Sequence, residues 1–404
     1  MARSGSGSGL RRQLSRVVYP ARTLQALGRL RYRMPLRAYA PRSALVTPQT
    51  PVERPRFPVI DAHAHLGQLL PTASYSGDWP QRPVVELVAE LDAAGVRAVV
   101  DLDGGWGEQL RRELARYREP YPERFVVFAG PDYAAFAREP DVGAFLAQQL
   151  CDSVHAGAQG LKIWKPLGLS LRDRRGRLYP VNDPRLDALW AKAGELGVPV
   201  LIHVADPVAF FAPFDRHNER WEELRWAAEC RYHGTDVPSF EALMDQFADL
   251  VGRHPATTFI GAHVGGYAEN LRWVGAMLDA HPNYYVDLGA RLAELGRQPY
   301  SARDFFLAHA DRILFGTDTP PDRRRYALYY RFLETRDEYF SYSPDEIPPQ
   351  GRWAIYGIDL PGDVLRRVYL ENATRLLRLD ANVTSVDSAQ TGERQEPAER
   401  DVRP

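Results

Sequence analysis

Cysteine is nearly absent from this chain of 404 residues: Cys151 and Cys230 are the only two. Two thiols cannot build a disulfide framework or a cysteine-based zinc site, and their scarcity predicts a reducing compartment, the cytoplasm. Lysine is almost as rare. Of 51 basic residues only Lys162, Lys165 and Lys192 are lysine, an arginine excess that reads as a genome-composition habit. No apolar run approaches the roughly 18 residues of a membrane span. The net charge of −1 gives no sign of a nucleic-acid or membrane partner. Residues 1–50 lack acidic side chains and open on a Ser-Gly repeat, which predicts a flexible basic arm over residues 1–54. Residues 381–404 are polar and low in aromatics, the composition of a disordered tail. The folded body expected between them is residues 55–380.

That body repeats one pattern, a short β-branched segment followed by a longer amphipathic one. The apolar segments are FPVIDAH, RAVVDLD, RFVVFAG, GLKIWK, VPVLIHV, TTFIGAH, NYYVDLG and RILFGTD. Between them lie stretches with helical spacing, among them RPVVELVAELDAAG and PRLDALWAKAGELG, each closing on the glycine expected at a helix stop. Eight such repeats, counting the final helix PGDVLRRVYLENATRLL, predict an α/β fold, a (β/α)8 TIM barrel with insertions after strands 5 and 8. A doubly wound open sheet is the alternative, and the even count argues against it.

In a barrel the strand ends matter, because the βα loops open there. Strand one ends in His63 and His65, two apart and therefore on one face. Strand five ends in His203, strand six in His263 and strand eight in Asp318. Four of the ten histidines of the chain thus fall at strand ends. An isolated His-x-His is common by chance, but several imidazoles and a carboxylate converging at one barrel mouth suit a divalent metal.

The four motifs DAHAH, His on strand five, GAHVGG and LFGTD, in that order, resemble the amidohydrolase superfamily, in particular the amidohydrolase-related group that includes aminocarboxymuconate semialdehyde decarboxylase. The resemblance runs from strand one to the helix YLENATRLL. It implies His63, His65, His203 and Asp318 as metal ligands, with His263 and Asp318 as the catalytic residues, and a homodimer as a family-level expectation. Three imidazoles and one carboxylate suit one Zn ion first, with Mn or Fe as alternatives. Some members of the superfamily carry a carbamylated lysine on strand four that bridges two metals, whereas the decarboxylase-like group is mononuclear. Lys162 and Lys165 stand at that strand's end, and parity lets only one of them enter the barrel.

Both insertions follow ligand-bearing strands and are expected to overhang the site. Lys162, Trp164, Phe210, Arg323 and Tyr326 are the candidate substrate-binding residues. Phe211, Trp221, Trp226, Tyr329 and Tyr330 are further aromatics of the insertions, and Arg324 and Arg325 complete a basic run. Against this stand ordinary packing of the aromatics and solvation of the arginines. Three functions on a small-molecule substrate follow. The first is a metal-dependent hydrolase, in which an activated water attacks an amide, lactone or ester carbonyl. The second is a non-oxidative decarboxylase of an aromatic or unsaturated acid. The third, ranked last because all five strand-end residues are present, is a binding protein on the same barrel.

Overall fold

The structure, a computed structural model, describes residues 34–67 and 79–379. Most of the N-terminal arm and the C-terminal tail therefore lie outside the described residues. The chain divides into two units, residues 1–46 and residues 47–404. In the first, the described residues hold one 3-10 turn, Leu36–Ala38. The second holds the barrel and starts ahead of the expected residue 55. Thr50 already bonds through its N–H and hydroxyl to Asp337, and Val52 is buried.

Eight parallel strands follow the predicted order: β1 Val59–Ala64, β2 Val96–Asp101, β3 Phe125–Val127, β4 Leu161–Ile163, β5 Val200–Ile202, β6 Phe259–Gly261, β7 Tyr284–Asp287 and β8 Ile313–Leu314. Regular ladders join β1 to β3 and β4 to β8. Two seams close the ring. Ala129 pairs with Leu161 beyond the end of β3, and Ala64 pairs with Thr319 beyond the end of β8. At the second seam the Asp318 N–H donates to the His63 carbonyl at 2.7 Å. Backbone pairing therefore sets strand eight's carboxylate beside strand one's histidines.

Side chains alternate between two apolar regions along each strand, as the two-residue repeat requires. Val59, Val99, Val200, Ile202 and Phe259 pack outward against the helices. Ile60, Ala62, Ala98, Val100, Leu201 and Ile260 fill the interior, together with Leu370, Ala373 and Leu377 of the final helical segment. The outer helices are amphipathic. In Phe240–Arg253, capped by Ser239, the buried positions Phe240, Leu243, Met244, Phe247, Leu250 and Val251 recur at helical spacing. Helices Val84–Ala94 and Asp187–Leu196 end on left-handed Gly95 and Gly197, as their sequences predict. The insertion after β8 contains a helix, Arg323–Glu334, and a small antiparallel pair, β9 Phe340–Ser341 with β10 Ala354–Ile355. No helix among the described residues is long and apolar enough to cross a membrane.

Candidate metal centre

His63, His65 and Asp318 converge at the mouth of the barrel. Oδ1 of Asp318 lies 3.0 Å from Nε2 of His63 and 3.0 Å from Nε2 of His65. The opposite nitrogens are held by buried carboxylates. Nδ1 of His63 is 2.8 Å from Asp287, and Nδ1 of His65 is 2.8 Å from Asp103. Each ring therefore has an orienting partner behind it and an Nε2 aimed at the same point, the arrangement in which histidines serve as metal ligands.

His263 and His203 stand beside this cluster as a linked pair. Nδ1 of His263 lies 2.8 Å from the Gly289 carbonyl, so it carries the proton, and Nε2 accepts from Nδ1 of His203 at 3.2 Å. That tautomer leaves a lone pair on Nε2 of His203, an atom with no hydrogen-bond partner among the described residues and with Asp206 Oδ1 3.9 Å away. The structure thus gathers three of the four expected ligands at one point and sets the fourth, His203, on the neighbouring imidazole with a donor atom free.

The charges agree with this division. Burial drives both His203 and His263 away from the protonated form, His203 well below the usual range and His263 to about 3. Burial alone would also lower His65, but Asp103 and Asp318 overcome it and raise this imidazole to about 10. Burial would raise Asp318, yet the neighbouring His263 and His63 hold it well below the usual carboxylate range. An ionised carboxylate faced by two imidazole Nε2 atoms, each ring backed by a second carboxylate, fits a divalent cation once His65 gives up its proton.

The backbone here is tightly constrained. Asp318 has φ 62°, His263 φ 61° and Val264 φ 57°. For a β-branched residue such as Val264 that conformation is an outlier, of the kind that clusters at functional sites. Gly289 is required by close approach, since a Cβ there would lie 3.0 Å from both the Asp318 Cβ and His63 Nδ1.

Over Asp318 opens a cavity of about 90 Å³, lined by Leu292, Leu328, Tyr329 and Tyr342, with Glu223 and Arg325 among its charged residues. Both insertions reach it. Glu223 comes from the one after β5, and Arg325, Leu328 and Tyr329 form one face of helix Arg323–Glu334. Glu223 is fixed by Arg220, whose Nη1 donates to its Oε2 at 2.7 Å. Arg220 is fully buried and also bonds Glu294.

The substrate-binding candidates divide. Trp164 stands at the centre, its ring 5.0 Å from that of His65. Lys162 points into the barrel but is completely buried and does not line the cavity. Phe210 is a core residue of the insertion after β5. Arg323 is exposed at the helix start, where its N–H bonds Glu90. Tyr326 is buried, donates to Asp61 at 2.9 Å and does not line the cavity. Phe210, Arg323 and Tyr326 thus lie away from this cavity, in packing or in solvent. Sequence reading overlooked Asp103, Asp287 and Glu223. Asp287 was legible as the aspartate closing β7 and Asp103 as the one two residues past β2, whereas nothing in the sequence marks Glu223.

The Amidohydrolase family profile matches residues 31–379. No curated protein matches the sequence. Several solved structures share the fold. A 2,6-dihydroxybenzoate decarboxylase complexed with 2,6-dihydroxybenzoate is 16% identical at a TM-score of 0.51, covering 80% of this chain and 100% of that one. A dihydroxybenzoic acid decarboxylase from a Polaromonas species, with bound manganese and the inhibitor 2-nitroresorcinol, is 16% identical at 0.53 and covers 81% and 99%. An uncharacterised TIM-barrel protein from Bordetella bronchiseptica is 16% identical at 0.52 and covers 80% and 99%. At such identities the likeness is one of fold.

Proposed function

The chain belongs to the amidohydrolase family, and we propose that it is a metal-dependent decarboxylase of a small hydroxylated aromatic acid. The observation that carries this reading is the cavity over Asp318. Tyr329, Tyr342, Leu292 and Leu328 give it an aromatic and apolar wall beside the Asp318 carboxylate, a lining against which a planar ring packs. Arg325 supplies a cation for an anionic substituent, and Glu223 a fixed acceptor for a hydroxyl. The dihydroxybenzoate decarboxylases of the same fold support the substrate class.

His63, His65, His203 and Asp318 would hold the ion. A divalent ion bound there supplies Lewis acidity toward a substrate oxygen. The net reaction replaces a ring carboxylate by a proton, releases carbon dioxide and consumes one proton from solvent. Asp318, the cluster residue that reaches the cavity, is the carrier of that proton to the ring carbon. A carboxyl held so far below its usual range surrenders a proton readily once loaded. His263, neutral and anchored to Gly289, steadies charge beside it.

A second reading, hydrolysis of an amide, lactone or ester, is supported by Asp318 as well. An ionised carboxylate facing a cavity can take the proton of an attacking water. The test is incubation of the metal-loaded protein with 2,6-dihydroxybenzoate and its positional isomers, following loss of the acid and appearance of the phenol. Phenol formation supports decarboxylation. No turnover of any isomer, with labelled oxygen from water entering the product of an ester or lactone panel, would replace it by hydrolysis.

A further inference from the structure

A second cavity, larger than the one over Asp318, opens among the loops that follow β5, β6 and β7. Its volume is about 630 Å³, and none of its lining residues lines the first cavity. One wall is apolar, built by Val208, Ala209 and Ala212. Tyr267 adds an aromatic face, held in place by Phe240 and Trp273, whose rings lie 4.6 and 5.6 Å from its own. Against these stand three carboxylates, Glu219, Glu269 and Glu294.

The carboxylates are not equally matched. Arg297 grips both oxygens of Glu219, at 2.9 and 3.2 Å. Glu294, only 2% exposed, bonds Arg220 through Oε1, and Arg220 also bonds Glu223, so one guanidinium serves two carboxylates. Oε2 of Glu294 has no hydrogen-bond partner among the described residues. Glu269 accepts the Val208 N–H on Oε1 at 3.0 Å, and its Oε2 is likewise buried without a partner. Burial pushes the Glu269 carboxyl up against the opposing pull of Arg291, with Glu294 adding to the rise. Burial would raise Glu294 too, yet Arg220 and Arg291 hold it below the usual carboxylate range. Two carboxylate oxygens buried at one cavity without a donor carry a desolvation cost that a cationic donor offsets.

A bare metal ion does not answer this need. Among the described residues, the clusters spaced to hold one lie at His63 and its partners. A cavity of this volume with an apolar and aromatic wall takes an organic body as well as a charge. We propose that it is a second binding site, for a small organic cation with a short apolar body, whose ammonium group is held by Glu269 and Glu294. The ammonium brings three donors on a compact charge, and the body lies against Ala209, Ala212 and the Tyr267 ring. The inference does not rest on the metal centre.

The experiment titrates the full chain, metal-stripped and Zn-loaded, with phenethylammonium and with its neutral isostere 2-phenylethanol, by calorimetry. One phenethylammonium per chain is expected in both metal states, with Kd on the order of 1 mM or below and about tenfold or more tighter than the alcohol. Glu269→Gln keeps the acceptor for the Val208 N–H and removes the charge. It should weaken the cation by about tenfold and leave the alcohol unchanged. Ala212→Phe, at a half-buried lining position, fills the cavity and should abolish binding of both; it is also the second variant should Glu269→Gln not fold. Equal binding of cation and alcohol would overturn the proposal, as would no saturable binding of the cation. So would cation binding that both variants leave intact, or that 2,6-dihydroxybenzoate displaces, since either places the ligand elsewhere. A dimer that Ala212→Phe breaks, with no cation bound, would overturn it in favour of a second copy of the chain.

Discussion

Oδ1 of Asp103 lies 2.8 Å from Nδ1 of His65, and the far side of the same ring lies 3.0 Å from Asp318. Asp287 stands in the same relation to His63. Each ring is held from behind, so removal of either carboxylate is expected to weaken metal binding by about 10–100-fold while the ligand set stays intact. Chelator competition on Asp103→Ala and Asp287→Ala checks this. Unchanged affinity in both would show that the rings are held by packing alone.

Asp318→Ala and His203→Ala are each expected to lose the metal, and His263→Ala to keep it while losing turnover. Metal analysis of the purified variants separates these outcomes. An active His263→Ala enzyme would remove His263 from the chemistry.

The metal-free protein should lose stability as the pH rises. In the fold, His65 is raised to about 10 against 6.5 in an unfolded chain, by Asp103 and Asp318 acting against burial. Its contribution is therefore fully present below pH 6.5 and fades as the pH climbs toward 10. In the loaded protein His65 has exchanged that proton for the ion, so the decline should flatten. Thermal unfolding of both forms between pH 6 and 9.5 measures the difference, and parallel curves would count against it.

Tyr326→Phe removes a donor from Asp61, a buried carboxylate also bonded by Thr317 at 2.7 Å. The expected result is a loss of about 1–2 kcal/mol in stability with metal content unchanged. Denaturant unfolding beside a metal count decides it. A change in substrate affinity without a change in stability would restore Tyr326 to the cavity.

Arg325→Ala should raise KM for a hydroxybenzoate substrate by about tenfold or more, the scale of losing a charge-assisted hydrogen bond, while Arg323→Ala leaves it unchanged. The comparison is informative because the two arginines sit two positions apart on one helix, one lining the cavity and the other exposed. Equal effects from both would mean that the basic run acts only as a diffuse field.

Much of the centre was legible before folding. His63, His65, His203, His263 and Asp318 are marked by their places at strand ends, and parity was enough to admit only one of Lys162 and Lys165 to the barrel. Asp103, two residues past β2, and Asp287, at the end of β7, were visible as aspartates, but their task depends on how the histidine rings turn, which follows from closure of the ring of strands. Tyr326 and Tyr329 were indistinguishable in sequence. Three apart, they share a flank of the helix, and only docking of that helix on the barrel sent the Tyr326 hydroxyl to Asp61 and set Tyr329 at the cavity.

Local order in this protein follows from the sequence itself. Alternation along short β-branched segments, helical spacing between them and glycine stops specify eight βα units and the faces their side chains take, because these are properties of neighbouring residues. The tertiary structure decided which groups approach within bonding distance. The pairing of β1 with the end of β8 brings Asp318 to His63 across 255 residues of chain. Burial then keeps His263 neutral, while the imidazoles around Asp318 hold it acidic against the same burial, because charge in a region without water is governed by every group around it and not by its neighbours in sequence.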